Sequence, residues 1–256
     1  LTALLGLSLM LFSCSDDKTP TKPDDKTPDV TYLNSNIYSY NYDEYDLNAD
    51  NSEKAETRHQ DSLLFTQKLT KDGKSASEYQ VYTNVSGNYT EDGKVYYAGE
   101  PNKLYAHLSV FQSLFSKIES NGFSLSQIFD GAGNWFLIAD AKATSSWTLY
   151  NGKDTFDIPV LGPTEANVNI TMSSGGKAEY TINNQKTSVD KFILKVEIKA
   201  NTLLGEIGAT VNGAFWVAPN VGVVRSNVNS FSIPEADLNI DGTESILTSY
   251  TIQLLD

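Results

Sequence analysis

Few side chains in this chain are equipped for chemistry. Its 256 residues include two histidines, His59 and His107. His59 sits in Glu56-Thr57-Arg58-His59-Gln60, a polar run that reads as a solvated loop. His107 follows Leu104-Tyr105-Ala106 just before an apolar stripe, a place for a structural or capping residue rather than a general base. No Gly-x-Ser-x-Gly elbow, His-Glu-x-x-His zinc helix or phosphate-cradling glycine loop occurs. A nucleophile without a basic partner at recognisable spacing has no means of activation. The 32 Asp and Glu leave a glycosidase pair open, but no pair stands out. The expectation is a protein that is not an enzyme.

One polar pattern repeats, as Asp46-Leu47-Asn48-Ala49-Asp50 and as Asp237-Leu238-Asn239-Ile240-Asp241-Gly242. Alternate oxygens ahead of a glycine bend resemble the opening of a calcium loop, which wraps a hard cation. The second copy departs from that loop with Thr248 where the twelfth, bidentate Glu would stand, and the first has Asn51 in place of glycine. The segment therefore reads first as a strand ending in an Asp-Gly turn. Calcium held by Asp237, Asn239 and Asp241 is the second reading, and no other cofactor is expected.

The remaining reactive group is Cys14, the single cysteine. It follows Leu1–Phe12, an uncharged apolar run too short for the ~20 residues that a membrane-spanning helix needs. That length suits the apolar region of a secretory signal over residues 1–13, and the given sequence is expected to begin a few residues late, without its basic start. Leu11-Phe12-Ser13-Cys14 resembles the bacterial lipobox. The resemblance implies that Cys14 is acylated and anchors the mature protein in the outer membrane. All 19 Lys and Arg and all 32 Asp and Glu lie after Cys14, so the exported part carries the whole formal charge of −13. Such a surface disfavours nucleic acid and anionic lipid as partners, because both reward basic patches. With one cysteine there is no intramolecular disulfide, and the fold must stand on its core.

Residues 14–30 form the tether. Asp-Asp-Lys-Thr-Pro occurs twice, at 16–20 and 24–28, and nothing in the stretch can bury apolar surface. Cys14-Ser15-Asp16-Asp17 resembles the acidic export signal of Bacteroidota surface lipoproteins, which implies the cell surface rather than the periplasmic face. Asp61-Ser62-Leu63 likewise resembles the short O-glycosylation acceptor of that group.

From Thr31 to Asp256 the apolar period is two, which predicts a single β-rich domain. Val168, Ile170 and Met172 alternate with polar neighbours, as do Phe192, Leu194, Val196 and Ile198. Asp72-Gly73, Asp92-Gly93 and Gly175-Gly176 read as hairpin turns. The expected fold is mainly β: a curved antiparallel sheet of about twelve strands, a half-barrel or open barrel. One segment breaks the period. Val110, Phe111, Leu114, Phe115 and Ile118 make a helical stripe, with Ser109 and Gln112 as a capping box, so residues 109–121 are predicted to form an amphipathic helix lying over the sheet as a lid.

Phe192–Glu197 and Phe215-Trp216-Val217-Ala218-Pro219-Asn220-Val221-Gly222 are similar to a strand pair of secreted bacterial lipoproteins, some of which look like the lipoprotein-carrier fold. That resemblance implies an apolar concavity under a helical lid and no catalytic residues. The expected function is binding of a hydrophobic or lipid-like ligand, contacted by Phe111, Leu114, Phe115, Trp135 and Trp216. The alternative is a surface interaction protein that meets glycans or other envelope proteins through its tyrosine-rich strands, although core packing is the first reading of those tyrosines.

Overall fold

The computed structural model describes residues 28–34, 36–111, 133–158, 162–202, 205–234 and 238–253. One antiparallel sheet of twelve strands dominates, as its alternating pattern predicts. The first meander is β1 (Ile37–Leu47), β2 (His59–Lys71), β3 (Lys74–Val85), β4 (Asn88–Glu100), β5 (Lys103–His107) and β6 (Trp135–Asp140). The second is β7 (Trp147–Ile158), β8 (Gly162–Ile182), β9 (Gln185–Thr202), β10 (Gly205–Ala218) and β11 (Gly222–Val228). A short hairpin, β12 (Phe231–Ile233) with β13 (Leu238–Ile240), precedes β14 (Gly242–Ile252). β14 pairs with both β1 and β11 and so joins the two meanders. The spatial order is β6-β5-β4-β3-β2-β1-β14-β11-β10-β9-β8-β7, which leaves β6 and β7 as the edges. These two are consecutive in the chain, and the sheet curls into a nearly closed barrel.

The turns follow from backbone handedness. Asp72-Gly73 has both residues at positive φ (45° and 80°), as a type I′ hairpin requires. The other two glycine pairs do something different. Gly93 lies inside β4, where Asp92 and Gly93 together face Val81, and Gly175-Gly176 lies inside β8 opposite Lys191. Both are bulges, with two residues set against one. The actual turns are Ser86-Gly87 and Asn183-Asn184, again with every φ positive. Polar short side chains tolerate that region better than most, which is why Asn183 and Asn184 suffice without glycine.

Two apolar clusters pack against the sheet. One joins Phe136 and Ile138 of β6 to Val168, Ile170 and Met172 of β8 and Phe192 of β9. Residues from the two ends of the sheet thus share one core. The other collects Tyr40, Tyr42, Tyr79, Val221 and Leu247, together with Ile182 and Val189 from the end of the β8–β9 hairpin. Asn183 at that hairpin's tip donates to the Tyr250 carbonyl of β14 at 3.3 Å.

The segment before β1 closes one end. Val30 N–H donates to Asn102 Oδ1 (2.9 Å), Asn102 N–H returns a bond to the Val30 carbonyl (2.7 Å), and Asn220 N–H donates to the Thr31 carbonyl (2.7 Å). Tyr32 is thereby carried inside, fully buried, with its hydroxyl donating to Asp190 at 2.8 Å. Of the predicted helix 109–121, Leu108–Phe111 is a 3-10 turn and the rest lies outside the described residues.

Candidate functional site: an amphiphilic cavity in the barrel

A cavity of about 460 Å³ lies toward the end of the barrel opposite the Tyr32 plug. Strand alternation builds its wall. Tyr42 and Glu44 come from β1, Asp61 and Leu63 from β2, Val81 from β3, Val95 and Tyr97 from β4. Phe215 of β10, Val223 and Val228 of β11, and Thr243 and Ser245 of β14 complete the opposite side, and Phe111 leans over from the 3-10 turn. Phe111 meets Phe136 edge-on at 5.5 Å and Phe215 at 6.1 Å, so the aromatic edge of the cavity continues into the first core cluster.

The apolar part of the wall is held by its own polar atoms. Tyr42 donates its hydroxyl to the Val223 carbonyl and Tyr40 to the Val221 carbonyl, both at 2.8 Å. Burial pushes the phenols of Tyr42 and Tyr97 upward, so both stay neutral donors. The polar part is acidic, with Glu44, Asp61 and Asp92 against one lysine, Lys94, whose ammonium is committed to Glu78 at 2.9 Å. Asn227 Oδ1 and Thr243 Oγ1 are withdrawn from solvent and have no hydrogen-bond partner among the described residues, and both residues line the cavity. A wall with an apolar band and a few convergent polar atoms suits an amphiphilic guest.

The residues singled out in the sequence are dispersed. Phe111 is in the cavity wall. Trp135 and Trp216 are not. Trp135 donates its indole N–H to the Lys71 carbonyl at 3.0 Å and stacks edge-on with His107. Trp216, on the face of β10 opposite Phe215, lies between the Lys191 ammonium (4.8 Å) and the Arg225 guanidinium (4.5 Å). Leu114, Phe115, Cys14 and Asp237 lie outside the described residues. Asn239 is exposed in β13, and the Asp241 carboxylate is held by the Lys54 ammonium.

His107 caps the 3-10 turn. Ser109 N–H donates to its Nδ1 (3.1 Å), so Nε2 carries the proton and bonds Asp72 at 3.0 Å, while burial lowers the imidazole's affinity for a second proton. His59 is not the solvated loop residue its neighbours suggest. It opens β2, half-buried and paired in register with Glu44. Ser62 Oγ, in the short acceptor-like triplet, donates to Asn41 Oδ1 in the middle of the β1–β2 pair. The tyrosines of β1 are mostly core: Tyr40, Tyr42 and Tyr45 are buried, and Tyr38 is exposed.

No protein-family model matches the chain, and no curated protein matches it. Among solved structures, a protein of Parabacteroides distasonis described as a lipoprotein is similar at 13% identity and a TM-score of 0.47, over 87% of this chain and 99% of that one. An exported protein of Bacteroides fragilis with a YmcC-like fold is similar at 11% identity and 0.42, with the same coverage. The lipoprotein YmcC of Escherichia coli gives 10% identity and 0.33, over 82% of this chain and 83% of its own. No TM-score among these three reaches 0.5.

Sequence reasoning missed Tyr42, Leu63, Val81, Tyr97, Phe215 and Val228 as cavity residues. Each reads as an ordinary inward position of a strand. Only closure of the sheet brings β1–β4 opposite β10 and β11.

Proposed function

We propose that the protein is a non-catalytic lipoprotein, anchored through Cys14 in the outer membrane and facing the cell surface. It holds a hydrophobic or lipid-like molecule in the barrel cavity. The observation that carries the reading is the cavity itself, about 460 Å³ with Tyr42, Leu63, Val81, Val95, Phe111 and Phe215 in its wall. Such a volume lies within the range of small-molecule sites, roughly 300–1,000 Å³.

The test is direct. A fluorescent single-chain amphiphile is titrated against the purified protein and against Val81→Trp, which puts an indole into the cavity. Affinity is expected to fall by about tenfold or more, equivalent to ~1.4 kcal/mol, with unchanged circular dichroism. Equal affinity in the two proteins rejects the cavity as the site. For the anchor, Cys14→Ser is expected to move from the envelope to the soluble fraction, and its retention in the envelope rejects lipidation.

A further inference from the structure

We propose that Glu44, His59 and Asp61 form a binding site for a divalent transition-metal ion, with Zn²⁺ as the fitting member, on the inner wall of the barrel. Glu44 and His59 face each other across the β1–β2 pair, and Asp61 lies two residues beyond His59 on the same face. Glu44 and Asp61 both line the cavity, which fixes that face as the inward one. One ligand atom from each of the three residues falls within 4.8 Å of the others, and all three residues are half-buried.

The orientation of the imidazole points to a cation. His59 Nδ1 lies 3.0 Å from the Thr57 carbonyl, an acceptor only, so Nδ1 carries the proton. In the neutral ring, Nε2 then presents a lone pair, and it is aimed at Asp61 Oδ1 at 3.5 Å. That contact is held either by a second proton on the ring, as an ion pair, or by a cation that takes a lone pair from each side. A ring nitrogen tied to a backbone carbonyl while the other faces the metal is the usual outer-sphere arrangement of a ligating histidine. Tetrahedral zinc with bonds of roughly 2.0–2.2 Å sets ligand atoms about 3.3–3.6 Å apart, so a spread of up to 4.8 Å closes by about 1 Å of side-chain rotation. The imidazole favours Zn²⁺ and its neighbours over Ca²⁺ or Mg²⁺, which prefer oxygen alone. Three protein ligands leave a fourth position, on the cavity side.

The site shares the cavity wall through Glu44 and Asp61 but does not depend on amphiphile binding, and its readout is separate. The chain has two histidines, so two imidazole signals appear in a ¹⁵N correlation spectrum of the labelled protein. One equivalent of Zn²⁺ is expected to shift Nε2 of His59 while both nitrogens of His107 stay in place. Titration calorimetry should give one Zn²⁺ per chain in wild type and at least a tenfold weaker affinity in Glu44→Gln and in Asp61→Asn, two near-isosteric changes. The idea is overturned if stoichiometric Zn²⁺ leaves the His59 signals unmoved, the behaviour of a plain imidazolium–carboxylate pair. It is equally overturned if both variants bind as wild type does.

Discussion

Trp147, the first residue of β7, donates its indole Nε1–H to the main-chain carbonyl of Leu137 in β6 at 2.9 Å. The two residues stand on the two edges of one twelve-stranded sheet. An edge strand leaves unpaired N–H and C=O groups, and closing the sheet on itself is one way to remove them. Here the closure runs through a side chain, and residues 141–146 between the strands make it short. Trp147 also meets Phe192 of β9 edge-on at 6.1 Å, so one indole spans from β6 into the second meander.

This bond gives the first prediction. Trp147→Phe keeps an aromatic ring but loses the donor, and it is expected to lower unfolding stability by about 1 kcal/mol in urea melts. Trp147→Ala also removes the packing and is expected to cost ~3 kcal/mol or more. Equal effects of the two changes would show that the hydrogen bond, not the ring, carries the closure.

The second prediction concerns the plug. Tyr32 is fully buried, and burial followed by the adjacent Asp190 carboxylate pushes its phenol far upward, so it remains a donor throughout the neutral and alkaline range. Tyr32→Phe leaves the Asp190 carboxylate with the Lys177 ammonium at 3.2 Å but without the hydroxyl. The expected loss is about 2 kcal/mol, that of a hydrogen bond to a charged group. Tyr32→Ala empties the barrel end and is expected to cost ~3–5 kcal/mol. Differential melting of the two variants checks the order.

The third prediction is a pH effect. Glu78 is buried, which alone would raise its pKa, but hydrogen bonds from Lys94, Thr66, Gln67 and Tyr96 outweigh that and hold it at about 2. Its unfolded value is near 4.5, so the native state favours the carboxylate. The stability contributed is present above pH 4.5 and is lost as pH falls through 4.5 toward 2. A shift of this size corresponds to about 3 kcal/mol. The difference in unfolding free energy between wild type and Glu78→Gln is therefore expected to be largest at neutral pH and to shrink steadily below pH 4.5. A difference that does not change with pH would remove Glu78 as its cause.

Much of the architecture is legible in the chain because a strand with one wet face must alternate. Val168, Ile170 and Met172 do pair with Ile198, Val196 and Leu194 on one inward face. The local punctuation is legible only in part. Asp72-Gly73, Asp92-Gly93 and Gly175-Gly176 look alike in sequence, since a hairpin turn and a bulge both ask for a residue at positive φ. The partner strand decides between them: two residues facing one make a bulge, and a chain reversal makes a turn. Alternation also names the inward residues of each strand without saying which inward residues meet.

The cavity and the Glu44–His59–Asp61 group belong to that second kind of information. Tyr42 and Thr243 stand some 200 positions apart, and they line one space because β14 slots between β1 and β11. His59 follows a polar run and looks solvated, yet pairing with Glu44 carries it to the barrel wall. What the sequence by itself determined was the period, the sole cysteine with the apolar run before it, and the acidity. The tertiary structure decided which side chains converge, because curling a sheet sets inward faces against each other at distances that no local pattern encodes.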